Sequence, residues 1–230
     1  MNLSKNLALS LGLALCGMLG AQASKADTLI PVQNSSFETS SGTTLSCGTG
    51  CSYNFGPIAG WTQVGGNSGS VQLAATNALF STGAPDGSMI AYTNAGSLSQ
   101  DLTGISLQAN STYTLSVFVG DRLDGETTDY SFSLLAGTTV LNTFASNNSL
   151  ITPGTFQQEF LTFSTGSSVP TGDLSIVLSS ATAQADWDDV ALSVAPNSDP
   201  TNTPEPGTFM MLGAGILGLI GFAVPKSLKA

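Results

Sequence analysis

No histidine occurs anywhere in the chain. That excludes the Ser-His-Asp and Cys-His arrangements and the His-rich zinc sites, all of which need an imidazole. Basic residues are nearly as scarce: Lys5, Lys25, Arg122, Lys226 and Lys229 are the whole set. Acids number 15, and all but Glu205 fall in the central stretch. Residues 27–202 therefore hold 14 acids against Arg122 alone, a formal charge of −13. No basic patch exists to neutralise phosphates, so nucleic acid is excluded as a partner. Cations are the natural ionic partners of such a domain. Long helical periodicity is missing outside the two termini.

The ends are hydrophobic. Lys5 precedes an apolar stretch from about Leu7 to Leu19, and Ala21-Gln22-Ala23 and Ser24-Lys25-Ala26 follow. This is the plan of a secretory signal peptide over residues 1–26, cut by signal peptidase after Ala23 or Ala26. The apolar run is short for a permanent anchor. Cys16 lies inside it and is discarded with it. Export leaves two cysteines, Cys47 and Cys51, flanking Gly48-Thr49-Gly50. An oxidising compartment favours a disulfide between them, pinning a Gly-rich loop. Its stabilisation is small because the closed loop is short. The spacing is not Cys-x-x-Cys, and no second ligand pair exists for a metal.

Residues 27–194 read as β almost throughout. Thr112–Val119 alternates polar and apolar, as do Tyr130–Leu135, Phe156–Phe163 and Leu174–Leu178. That period of two marks strands with one buried face. Ala136-Gly137-Thr138 predicts a hairpin turn into Thr139-Val140-Leu141, and Trp187–Val194 is the last strand. Many short strands with turn signals between them predict a two-sheet antiparallel sandwich in one domain. Asp121–Asp129 is the densest charge cluster, but its spacing is not that of an EF-hand. It reads as a loop in which Arg122 pairs with a nearby acid.

Residues 195–202 are rich in Pro, Asn, Ser and Thr and read as a linker. Thr208 to Val224 is 17 residues without a charge. As a helix it would reach about 26 Å, close to the core of a thin bilayer. Lys226 and Lys229 set a C-in orientation. Pro204-Glu205-Pro206, Gly207-Thr208, the Gly/Leu-rich span 208–224 and the short basic end resemble the PEP-CTERM sorting signal of Gram-negative bacteria, covering residues 203–230. The resemblance implies recognition by an exosortase through Pro204, Glu205 and Pro206. It also implies a membrane-anchored precursor that is passed on to the cell surface or extracellular matrix. Two lysines and Pro225 stand where the family usually has arginines.

A second resemblance covers about residues 28–195. Asn34-Ser35-Ser36-Phe37-Glu38, Gly60-Trp61, Ser99–Leu102, Ala109–Leu115 and Asp188-Asp189-Val190-Ala191-Leu192 are similar to the frame of galactose-binding-like jelly rolls, the fold of many carbohydrate-binding modules. That family implies adjacent first and last strands with a structural Ca²⁺ between them, for which Glu38 and Asp189 would be the carboxylates. Ca²⁺ takes six to eight hard oxygens, and carboxylates with carbonyls supply them. Asp188 and Asp189 are neighbours on a strand, so only one of them faces any one site. Tyr53, Phe55, Phe80 and Tyr92 are the candidate rings for stacking on sugars, whereas Trp61 and Trp187 sit in core-like settings. The expectation is a non-catalytic surface or matrix protein that binds exopolysaccharide. The alternatives are a glycoside hydrolase, for which no carboxylate pair shows itself, and a Ca²⁺-dependent adhesin.

Overall fold

The computed structural model describes residues 27–126 and 128–197. The signal peptide at 1–26, the sorting motif Pro204–Pro206 and the span 208–224 lie outside these residues. The chain divides into two compact units after Pro196, and the fold below is that of the first unit. No helix of the described residues is long and apolar enough to cross a membrane.

Thirteen strands follow one another among the described residues. They are β1 (Thr28–Ile30), β2 (Leu45–Gly48), β3 (Cys51–Asn54), β4 (Thr62–Val64), β5 (Asn67–Leu73), β6 (Met89–Asn94) and β7 (Ser97–Ser106). Then come β8 (Ser111–Asp121), β9 (Asp129–Ala136), β10 (Thr139–Asn147), β11 (Thr155–Ser164), β12 (Asp173–Ser180) and β13 (Gln184–Pro196). A 3₁₀ turn, Asn148–Leu150, joins β10 to β11. One sheet has eight strands in the order β11-β8-β13-β6-β5-β3-β2, with β1 also on β13. The other has five, β10-β9-β12-β7-β4. Every pairing is antiparallel. The fold is thus the two-sheet sandwich that the alternation predicts.

Alternation puts one face of each sheet into a shared core. The eight-stranded sheet contributes Tyr113, Leu115, Val117, Val119, Trp187 and Leu192; the five-stranded sheet answers with Leu98, Phe132, Leu134, Leu174, Ile176 and Leu178. Trp61 and Trp187 both lie in this core, and Trp187 donates its indole N–H to Thr93 Oγ1 at 3.0 Å. The hairpin β9–β10 turns at Gly137, whose φ of +54° suits a tight turn.

β13 organises the larger sheet. Its first half pairs β6, and its second half pairs β1 on Thr28↔Val194 to Ile30↔Leu192. First and last strands are therefore adjacent. A bulge between Asp188 and Ala191 interrupts its register with β8. Asp189 sits there with φ +46°, the extra residue that lets Trp187 and Val190 both face inward. Two bounds differ from the sequence expectation: β13 begins at Gln184 instead of Trp187 and runs to Pro196 instead of 194.

Candidate functional site

Antiparallel partners share a face, so the register shows what gathers on the outside of the larger sheet. Asn67 on β5 pairs with Asn94 on β6, and Asn94 pairs with Gln184 on β13. Three carboxamides thus stand side by side across three strands, about 5 Å apart. One step along the same face comes Gly69, Tyr92, Asp186 and Gly120. The next step holds Tyr53, Val71 and Ile90. A second apolar cluster underlies this face, with Val71, Leu73, Leu79, Phe80, Ile90 and Tyr92.

A cavity of about 350 Å³ opens here, lined on its polar side by Asn67, Asn94, Gln184 and Arg122. Its apolar side is Tyr53, Phe55, Tyr92, Val71, Leu79 and Cys47. Phe55 is 55% exposed and meets Tyr53 edge-on at 5.3 Å and Tyr92 at 6.5 Å. The three rings form a corner, with Phe55 as the free face. Gly69 lets the strands close up beneath it: a Cβ there would lie 1.9 Å from the Asn54 carbonyl oxygen and 2.9 Å from Tyr92 Oη.

Two buried acids stand on the same face. Asp186 is 1% exposed and accepts from Gln184 Nε2 at 2.8 Å. Burial pushes its carboxyl up to about 7; Arg122 and the Gln184 bond pull the other way, while Asp124 and Glu126 add to the rise. Asp188 is fully buried and accepts from the backbone N–H groups of Asp86 and Asp189, at 2.9 and 2.8 Å. Burial still outweighs those donors and pushes it up to about 8. Tyr92 is pushed up to about 12 by burial, helped by Tyr53 and Asp186.

The residues singled out from sequence fall in different places. Tyr53, Phe55 and Tyr92 do converge on the cavity. Phe80 does not belong with them: it is 1% exposed and stacked on Phe156 at 4.4 Å, so it offers no face to a ligand. Cys47 and Cys51 form the disulfide across the β2–β3 turn, at the cavity wall. Arg122 pairs with Asp124 as expected of that loop. Glu38 Oε1 accepts from the N–H groups of Ser88 and Met89 at 2.8 and 2.6 Å, and its Oε2 from Ser88 Oγ at 3.3 Å. Glu38 and Asp188 thus hold one segment, Asp86–Met89, while Asp189 occupies the bulge. Among the described residues there is no group of three or more His, Cys, Asp or Glu able to hold a metal.

Sequence patterning by itself misses the amide row and Asp186. Gln184, Asp186 and Asp188 alternate with Ala185 and Trp187. That period-2 signal marks the face of each residue without showing that the polar face is covered.

Comparison with known proteins bears on both parts of the chain. Residues 202–224 match the PEP-CTERM protein-sorting motif. The motif implies exosortase processing and an extracellular or cell-surface destination in a Gram-negative bacterium. No curated protein matches the sequence. Among solved structures, a cyclase from Fischerella sp. TAU in complex with 4-(1H-indol-3-yl)butan-2-one is 25% identical with a TM-score of 0.63, covering 75% of this chain and 100% of that one. The Stig cyclase Fisc from the same source, bound to a pyrrolidinylidene-indole, is 24% identical with a TM-score of 0.64 over the same shares. The CBM22-1 xylan-binding domain of Paenibacillus barcinonensis Xyn10C is 17% identical at a TM-score of 0.48, covering 77% of this chain and 100% of that domain. The model of the HpiC1 cyclase family matches residues 28–193. The β-sandwich domain of this chain belongs to the HpiC1-like family.

Proposed function

We propose that the chain is a surface-displayed, non-catalytic binding protein that captures the hydroxyl-rich end of an exopolysaccharide in the outer-face cavity. The in-register row Asn67–Asn94–Gln184 carries this reading. A carboxamide presents a donor and an acceptor side by side, which matches two neighbouring hydroxyls. Three in line, next to the exposed face of Phe55, offer the hydrogen bonds and the apolar contact that a sugar ring takes up. The side chains of Asn67 and Asn94 have no hydrogen-bond partner among the described residues, so they are free for a ligand. The row lies at the N-terminal end of β13, and that strand ends roughly 40 Å away at the usual rise. The chain therefore leaves the domain far from the cavity.

The test is a glycan-binding panel on the full chain, with exopolysaccharide from the host included. Micromolar to millimolar binding that falls at least tenfold in an Asn67→Ala/Asn94→Ala double variant is the expected result. Binding that is indifferent to the double variant sinks the reading.

A second reading, cyclisation of a small molecule with a carboxyl of this chain as proton donor, is favoured by Asp186, since the similar solved structures are cyclases. A carboxyl that burial keeps partly protonated near pH 7, bonded to the cavity-lining Gln184, is equipped to donate a proton. Calorimetric titration with 4-(1H-indol-3-yl)butan-2-one separates the two: tight indole binding with no glycan binding supports this one. Calcium at Glu38 and Asp189 is a separate proposal, motivated by the contact of first and last strands. It predicts a melting temperature that rises with CaCl₂ and falls with EDTA; no shift in either direction would sink it.

A further inference from the structure

Gln184 is the one member of the amide row with an internal partner among the described residues. Its Nε2 donates to Asp186 Oδ1 at 2.8 Å. The other oxygen of Asp186, Oδ2, is buried with no partner among the described residues. Arg122 stands in the same cavity wall with its side chain 15% exposed. Its guanidinium pairs with Asp124 through one terminal nitrogen, yet its Nε is buried and unpartnered. An unpartnered donor thus sits on one residue of the cavity wall, Arg122, and an unpartnered carboxyl oxygen on the acid bonded to another, Gln184. They feel each other: Arg122 acts to lower the Asp186 carboxyl.

We propose that Asp186 is a positioning residue of the cavity: through one oxygen it fixes Gln184 at the end of the amide row, and through the other it competes with Asp124 for Arg122. The ligand side of this inference rests on the glycan reading above; the contest for Arg122 exists in the free protein.

In the structure Oδ1 receives the Gln184 amide and Arg122 pairs with Asp124, the arrangement that belongs to neutral Asp186. When it loses its proton to solvent, a buried charge appears. Arg122 is the only Lys or Arg among the described residues. The charged groups around Asp186 are Arg122, Asp124 and Glu126 from the segment after β8, with Tyr92 facing it from β6. All but Arg122 are acidic or neutral, so Arg122 alone can compensate the new charge. Its guanidinium then leaves Asp124 and turns toward Oδ2, reshaping the wall beside Gln184. Burial places this exchange around neutral pH. Ligand capture is strongest on the acid side and fades as pH rises through that range.

The experiment follows the side-chain N–H resonances of Gln184 and Arg122 in the full chain from pH 5 to 9. Oligosaccharides cut from the host's own exopolysaccharide are titrated over the same range. Both resonances should move together in the wild type, and affinity should drop at least fivefold between pH 5.5 and 8.5. Asp186→Asn keeps an acceptor for Gln184 but cannot ionise, so it should hold the acid-side affinity at every pH, with neither resonance titrating. Asp186→Ala should lose affinity throughout. Resonances that stay still in the wild type, or an Asp186→Asn profile that still slopes like the wild type, overturn the proposal. Resonances that titrate while no oligosaccharide binds support the contest for Arg122 and overturn the glycan reading alone.

Discussion

On the outside of the five-stranded sheet, short side chains repeat in register. Ser97, Ser179 and Ser131 form one transverse row; Thr62, Ser99, Val177, Ser133 and Thr143 form the next. Hydroxyls there find one another, as Ser133 and Thr143 do at 2.8 Å. On the outside of the eight-stranded sheet the same geometry carries rings, free amides and two buried carboxyls. Both faces obey the alternation of their strands. The first needs only water to satisfy it. The second keeps polar groups out of water and leaves Asp186 Oδ2 unpartnered, an arrangement that costs stability. A cost of that kind on one face of an otherwise ordinary sandwich points to function there.

The largest effect should come from Gly69→Ala. The new Cβ would overlap the Asn54 carbonyl, a backbone atom that cannot swing aside, and push β3 from β5. A loss of about 3 kcal/mol in urea unfolding is expected. Ser99→Ala, at a comparable outer position of the other sheet, should cost almost nothing.

Asp186→Asn sharpens the contrast through pH. The unfolded carboxyl titrates near its ordinary 3.8 and the folded one near 7. The stability contributed by neutral Asp186 is whole below the unfolded value. It is lost progressively as pH rises from about 4 to about 7, where the unfolded chain gives up its proton first, and it is flat above. The variant should therefore gain on the order of 2–3 kcal/mol relative to wild type between pH 4.5 and 8. Equal gaps at both pH values would contradict the burial of that acid.

Next comes the disulfide. A Cys47→Ser/Cys51→Ser variant should lose about 2 kcal/mol, the amount chain entropy assigns to so short a loop. Because Cys47 lines the cavity, ligand affinity should fall with it. The smallest effect belongs to the hydroxyl rows: Ser131→Ala with Ser133→Ala should shift stability by less than about 0.5 kcal/mol per residue and leave binding unchanged.

Much of the fold was legible because the sequences of β8, β9, β11 and β12 alternate polar and apolar residues. β6 was not, since Ile90, Ala91, Tyr92 and Thr93 are all buried and show no alternation. β5 hid behind Gly69, which reads as a breaker until the close approach of Asn54 is seen. The site was partly visible: Tyr53, Phe55 and Tyr92 could be named as rings, and Arg122 as a paired cation. Phe80 looks the same in sequence, and only packing on Phe156 tells it apart. The amide row was invisible because its members are 27 and 90 residues apart, and only the pairing of β5, β6 and β13 lines them up. Adjacency on a strand already makes Asp188 and Asp189 diverge. It takes the bulge to show that Asp188 is the buried one.

The most direct test of the account is chemical-shift mapping of the full chain while host exopolysaccharide fragments are added. Perturbations confined to Phe55, Asn67, Asn94, Gln184 and their neighbours, on the outer face of the larger sheet, are the expected result. Perturbations centred on Ser97, Ser131 and Ser179 would contradict it, because the ligand would then sit on the face assigned to water.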